Sequence, residues 1–230
     1  MGDGLKDASS VLRARILRSV NGDTTIEEDQ VTIEEPLEIA VLAGGETVSL
    51  GVYFRTPGDD EALILGALFG EGVIRSKADA RSIELTVEEG ATIPATRALV
   101  RLAEYVAVDT EKLRRVFPIS AACGACGKSA MEALRIDRAA PFHPSEGLTI
   151  GEVELRRLPA QLLQRQSDFQ RTGGLHASGT FGRTGALGEV SEDIGRHNAL
   201  DKLIGRRLRN GALDWSQEGM VFSGRGGYDL

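Results

Sequence analysis

The sequence predicts an α/β protein in two parts, a smaller α+β N-terminal domain followed by an α/β domain. Three observations carry that reading. Short β-like runs separated by glycine turns fill the first half. Strand-like, helix-like and strand-like segments succeed one another in the second half, as a covered sheet requires. The composition also changes near Phe117-Pro118. This division gives a flexible tail at 1–23, the α+β domain at 24–116 and the α/β domain at 117–230.

Residues 1–23 are polar and basic with one short amphipathic stretch at 11–20, and are assigned as the tail. The runs VTIEEPLEIAVLAG and ETVSLGVYF flank Ala43-Gly44-Gly45-Glu46 and read as a hairpin. Thr56-Pro57-Gly58-Asp59-Asp60 supplies a turn and capping acids. Ala62, Leu63, Leu65, Leu68 and Phe69 then form the apolar face of a helix that stops at Gly70-Glu71-Gly72. Residues 82–87 and 96–105 alternate enough for two strands joined through Gly90 and Pro94. Beyond the boundary, 129–134 is helix-like. Leu155, Leu158, Leu162 and Leu163 recur at helical spacing, so an amphipathic helix over 150–169 crosses Pro159 and ends at Gly173-Gly174. ALGEVSEDIG reads as a strand entering a turn. Leu200, Leu203, Ile204 and Leu208 mark a helix over 196–209 closed by Asn210-Gly211, and 219–222 is a last strand.

Composition excludes several classes of protein. With 41% hydrophobic and 27% charged residues, the chain is neither disordered nor fibrous. A net charge of −7 is the opposite of a nucleic-acid footprint. The longest apolar run, 62–69, is broken by Gly66 and falls far short of the ~18 residues of a membrane span. The N-terminus interleaves Arg13, Arg15 and Arg18 with Leu12, Ile16 and Leu17, unlike a signal peptide. Two cysteines only three apart cannot staple a secreted fold, so a reducing cytoplasm is expected, with chemistry for the thiols. Glycine is the outlier at 28 residues, and its clusters mark where backbone must turn tightly or approach something closely.

The densest chemistry lies in Cys123-Gly124-Ala125-Cys126-Gly127-Lys128-Ser129, two thiols one turn apart before a helix-like run. A zinc half-site, a redox dithiol, an inert pair and a sulfur nucleophile all fit the spacing. A thiol of ordinary pKa, about 8.5, is mostly protonated at pH 7, but a helix N-terminus and Lys128 would favour the thiolate. Zinc needs two further ligands, and the three histidines His143, His176 and His197 lack finger or deaminase spacing. A Walker A is excluded because Ala122 stands where its first glycine belongs.

Three further clusters suit a phosphorylated ligand. Arg171-Thr172-Gly173-Gly174-Leu175-His176 offers a cation, a hydroxyl, unhindered amides and an imidazole, or equally a glycine turn beside a core histidine. Glu192-Asp193-Ile194-Gly195-Arg196-His197-Asn198 sits at a strand-to-helix turn, where open α/β sheets bind ligands, and reads equally as a capping cluster. On the following helix His197 shares a face with Asp201, and Asn198 with Lys202. Ser223-Gly224-Arg225-Gly226-Gly227 follows a strand and could form a nest of amides.

Together these segments resemble the formate dehydrogenase accessory sulfurtransferases of the FdhD/NarQ family. EEPLEI, YFRTPGDDEALILGALFGEGVI, CGACG, RTGGLHASG, EDIGRHNALDKLIG and VFSGRGGY occur in the family's order from Glu34 to Leu230. The resemblance implies a cytidine-deaminase-like α/β/α catalytic half without a zinc site. It implies a cytoplasmic sulfur carrier that takes sulfur from a cysteine desulfurase as a persulfide. The sulfur then passes to the molybdenum bis(molybdopterin guanine dinucleotide) cofactor, bound as substrate, before formate dehydrogenase receives it. Cys123 would be the persulfide carrier and Cys126 would assist or relay. Arg171, Thr172, Gly173, His176, Asp193, Arg196, His197, Asn198, Ser223 and Arg225 would line the cofactor pocket, with Arg171 and Arg196 on phosphate oxygens and Asp193 on a guanine edge.

The family pattern continues past the segment matching SGRGGYDL through a helix, a strand and a basic stretch, whereas this sequence stops at Leu230. A sheet without those elements is expected to expose an apolar edge, with marginal stability or a homodimer as the consequence. The rival reading is a binding module or chaperone for the cofactor or for formate dehydrogenase that no longer transfers sulfur. A zinc protein built on Cys123, Cys126 and two histidines is a third.

Overall fold

The computed structural model describes residues 10–88, 95–108, 147–211 and 215–226. The Cys123 and Cys126 loop, His143 and the helix expected at 129–134 lie outside the described residues, as does the expected domain boundary.

The first element lies where a tail is expected. β1 (Val11–Val20) and β2 (Asp23–Thr32) form an antiparallel ribbon in register from Val11 with Thr32 to Val20 with Asp23. Its two-residue turn is Asn21-Gly22, with φ of 53° and 94°, the positive values a primed hairpin turn needs. Polarity hid this ribbon, because it stands largely in solvent and both faces carry charge, such as the Arg18 to Glu27 pair at 2.8 Å.

β3 (Glu35–Ala43) and β4 (Glu46–Arg55) form the expected hairpin, with Gly44 and Gly45 both at positive φ. β5 (Ala80–Glu88) and β6 (Ala95–Leu102) complete a four-stranded sheet in the order β4, β3, β6, β5, where β3 and β6 run parallel. One face of β3 buries Leu37, Ile39 and Val41 against α1 (Asp60–Gly70). Every residue of α1 from Ala62 to Leu68 is buried, so the helix is covered on all sides rather than on one stripe.

The second cover is α4 (Arg196–Arg209), whose Leu208 and Ile204 join the same core. Glycines set the closeness of that crossing. A methyl on Gly66 would collide with the carbonyl of Asp201, and a methyl on Gly205 with the carbonyl of Ala62. The two backbones therefore meet directly, and elements from both halves of the sequence share one core.

On its far side α4 packs on β7 (His176–Phe181) and β8 (Leu187–Asp193). These strands and β9 (Gly219–Phe222) form a sheet in the order β8, β7, β9 with both pairings antiparallel. β8 and β9 therefore run in the same direction on either side of β7, and the expected βαβ succession holds with a strand inserted between its arms. α2 (Glu152–Arg165) buries Leu158 and Leu162 beside this sheet, and Leu162 reaches Gly179. The helix expected to run to 169 breaks at Gln166, and α3 (Ser167–Thr172) follows, closed by Gly173 at φ 69°. No helix among the described residues is long and apolar enough to cross a membrane.

Candidate functional site

The carboxyl ends of β8 and β9 and the amino end of β7 lie at the same end of the sheet, and three of the segments singled out in the sequence converge there. Behind the surface sits a sealed polar knot. Asp193 is fully buried, with Oδ2 2.7 Å from the Lys202 ammonium and accepting from the Thr56 amide at 3.1 Å. Its Oδ1 accepts from the Gly195 amide at 2.9 Å and from Asn198 Nδ2 at 3.0 Å. Lys202 donates to the Thr56 carbonyl at 2.8 Å, Asn198 Nδ2 to the Phe54 carbonyl at 2.7 Å, and the Ile194 amide to Thr56 Oγ1 at 3.1 Å. Each of these groups finds a partner, which is what makes so polar a cluster tolerable in the interior.

The knot ties the turn after β4 to the turn before α4. Arg55, 2% exposed, fixes the first turn through a two-pronged pair with Asp60, at 2.9 and 2.8 Å, and bonds to Glu35 and Thr96. Asp59 holds a left-handed φ of 55° and is paired with Arg206 and Arg209 from α4. Asp193 and Asn198, expected in the cofactor pocket, are thus committed to positioning the α4 N-terminus. Both carboxylate oxygens of Asp193 are occupied.

In front of the knot lies a crescent of polar groups. The Ser223 amide donates to the Ala177 carbonyl at 2.9 Å, and the Ala177 amide donates to Ser223 Oγ at 2.8 Å, locking the end of β9 to the start of β7. This brings Ser223 Oγ 3.4 Å from His176 Nδ1. Gly224 follows, and a Cβ there would stand 3.1 Å from His176 Nδ1 and 3.9 Å from Arg196 Cδ. Arg196 opens α4 and its Nε is buried without a hydrogen-bond partner among the described residues. The N-cap of α4 is Gly195, which offers no side chain to its amides. An imidazole, a hydroxyl, a guanidinium and the positive end of a 14-residue helix thus come together where Gly224 lets the chain pass close to the His176 ring. His197 is half-buried in the first turn of α4, and Arg225 is exposed at the rim.

The remaining expected residues face elsewhere. Arg171 donates to Gln30 Oε1 at 2.9 Å and pairs with Asp168 at 3.2 Å. Thr172 Oγ1 accepts from Thr32 Oγ1 at 2.9 Å, and Gly173 ends α3. Arg171 and Thr172 anchor the ribbon to α3.

Sequence reasoning missed Thr56 and Gln166. Nothing in the turn composition marks Thr56 as a partner of residues more than a hundred positions away. Gln166 is 3% exposed at the break between α2 and α3, with Nε2 unpaired among the described residues. It lines a cavity of about 330 Å³ with Leu162, Leu163, Phe169 and Phe222, and His176 and Ser223 of the crescent form part of the same wall. Between α1 and α4, Asp201 has its carboxyl pushed up to about 8, first by burial and then by the charges of Glu71 and Asp193.

Comparison with known proteins finds relatives of this chain. The FdhD/NarQ family model matches residues 32–230. The sulfur carrier protein FdhD of Streptomyces coelicolor is 36% identical over 222 residues, which cover 95% of this chain and 77% of that protein. The Mycobacterium tuberculosis protein of the same name is also 36% identical, over 94% of this chain and 79% of its own. A crystal structure of a formate dehydrogenase accessory protein from Desulfotalea psychrophila superposes with a TM-score of 0.64 at 22% identity, covering 94% of this chain and 76% of that one.

Proposed function

Since the chain belongs to the FdhD/NarQ family, we propose that it is a sulfur carrier in the maturation of formate dehydrogenase. Cys123 accepts sulfur from a cysteine desulfurase, with Cys126 assisting. The Cys123 thiolate attacks the terminal sulfur of the donor's persulfide, a new S–S bond forms as the donor's breaks, and the donor leaves as a thiolate. The exchange is redox-neutral and needs no further reactant. The sulfur then passes to molybdenum bis(molybdopterin guanine dinucleotide), bound as substrate, for delivery to formate dehydrogenase. In that step the Cys126 thiolate attacks the inner sulfur of the Cys123 persulfide, the S–S bond to the outer sulfur breaks, and sulfide leaves for the cargo. The Cys123–Cys126 disulfide that forms is reduced by a cellular dithiol.

One observation carries the cargo half of this reading. His176, Ser223, Gly224 and Arg196 lie together beside a helix N-terminus that has no side-chain cap, an arrangement suited to the phosphates of a dinucleotide. The antiparallel sheet of β8, β7 and β9 with α2 and α4 packed against it supports a cytidine-deaminase-like α/β/α arrangement for the second half.

The test is intact mass after incubation with a cysteine desulfurase and free cysteine. A reducible gain of one sulfur atom, retained in Cys126→Ala and lost in Cys123→Ala, is expected. No gain in the folded protein would replace the carrier with a module that binds cargo without transferring sulfur.

A further inference from the structure

The seam between α1 and α4 holds a second group of polar side chains, which the sulfur reading leaves unused. Asp201 stands on α4 where the two helices touch, and a Cβ on Gly70 would lie 3.8 Å from its Oδ1. That oxygen therefore faces the last turn of α1, which carries no basic residue and whose C-cap is Glu71. No hydrogen bond or ion pair among the described residues reaches the Asp201 carboxylate, and the charges acting on it, those of Glu71 and Asp193, are both negative. Asp193 has Lys202 at 2.7 Å inside the knot, which leaves Asp201 and Glu71 as the two carboxylates of the seam. Tyr53 of β4 is 3% exposed, and its Oη has no hydrogen-bond partner among the described residues. The charges acting on that hydroxyl are again those of Asp201 and Glu71. The carboxyl end of α1 adds negative potential of its own. Like charges held together in a fold repel, and a buried hydroxyl without a partner is costly.

We propose that this seam binds a hard divalent cation of the magnesium and calcium class, held by Asp201, Glu71 and the Tyr53 hydroxyl. All three donors are oxygen, the set such cations select, and water completes the shell. A proton on Asp201 would remove one charge and still leave the Tyr53 hydroxyl without a partner. A cation meets all three groups at once. It would pin the end of α1 to α4, so the site is a structural clamp, and the inference is independent of the sulfur-carrier reading.

Thermal unfolding of the full chain, first stripped with EDTA, is compared in magnesium chloride, in calcium chloride and in sodium chloride of equal ionic strength. At a hundredfold excess over the dissociation constant, one of the two divalent ions is expected to raise the melting temperature by about 5 °C above the sodium control. Asp201→Asn keeps the shape and removes a charge, and Glu71→Gln does the same at an exposed position; each is expected to abolish the rise. Tyr53→Phe removes only the hydroxyl and is expected to weaken binding several-fold in calorimetric titration. Glu61→Gln removes an acid from the other end of α1, where Glu61 faces Lys77 at 3.6 Å, and is expected to keep the full rise. No rise in wild type, a rise of equal size in Asp201→Asn or Glu71→Gln, or unchanged affinity in Tyr53→Phe overturns the site. An equal rise in sodium would mean screening of the net charge of −7 and overturns it as well.

Discussion

Lys202 and Asp193 form an ion pair sealed inside the protein, with Nζ 2.7 Å from Oδ2 and side chains 3% and 0% exposed. Because the pair also bonds to both backbone groups of Thr56, it couples the turn before α1 to the turn before α4. Replacing Lys202 with Met would strand a buried carboxylate. A loss of about 3–5 kcal/mol in urea unfolding is expected. A loss below ~1 kcal/mol would mean that the pair is not holding the two turns together.

The crossing of α1 and α4 has no room for a methyl group, since Gly66 abuts the carbonyl of Asp201 and Gly205 that of Ala62. Gly66→Ala and Gly205→Ala should each destabilise by about 2–3 kcal/mol or more, because backbone rather than a movable side chain must give way. Gly226→Ala, where a Cβ meets nothing within 4 Å, serves as control and should stay within ~0.5 kcal/mol. Thermal unfolding compares the three.

Asp201 titrates near pH 8 in the fold against a usual value of 3.8, raised by burial and then by Glu71 and Asp193. Its raised value means that the fold favours the protonated acid. Its favourable contribution is therefore complete below about pH 4, is lost as pH climbs towards 8, and stays absent above that. Part of the residue still reaches the surface, which holds the effect to about 2–3 kcal/mol. Asp201→Asn should match wild type at pH 4 and melt higher at pH 9. Parallel melting curves across that range would refute the assignment.

Gly224 lets the chain pass against the His176 ring, where a Cβ would land 3.1 and 3.2 Å from ring atoms. Gly224→Val should lower pyrophosphate affinity at least tenfold, about 1.4 kcal/mol, with little change in melting temperature and with sulfur loading on Cys123 intact. Undiminished pyrophosphate binding would move the anion site away from this end of the sheet.

Much of the architecture was legible because apolar spacing and turn residues agree. The β3 and β4 hairpin, α1 and α4 stand where turn residues bound apolar runs, although Asp59 and Asp60 pair with arginines instead of capping α1. β7 was not legible. Its HASGTF is buried almost throughout and made largely of small residues, so neither alternation nor an apolar run marks it. The β1 and β2 ribbon carried its signal in Asn21-Gly22 alone, and its polar strands masked the rest.

Local sequence was enough for most of the elements, for the family and for the order of the polar clusters, because these depend on neighbours within a few residues. Tertiary structure decided which clusters meet. It turned Asp193 and Asn198 inward to Thr56, Phe54 and Lys202, turned Arg171 and Thr172 towards the ribbon, and left His176, Arg196, Ser223 and Gly224 around one opening. A carboxylate in a motif can serve a ligand or a buried ammonium, and only packing fixes which one it reaches.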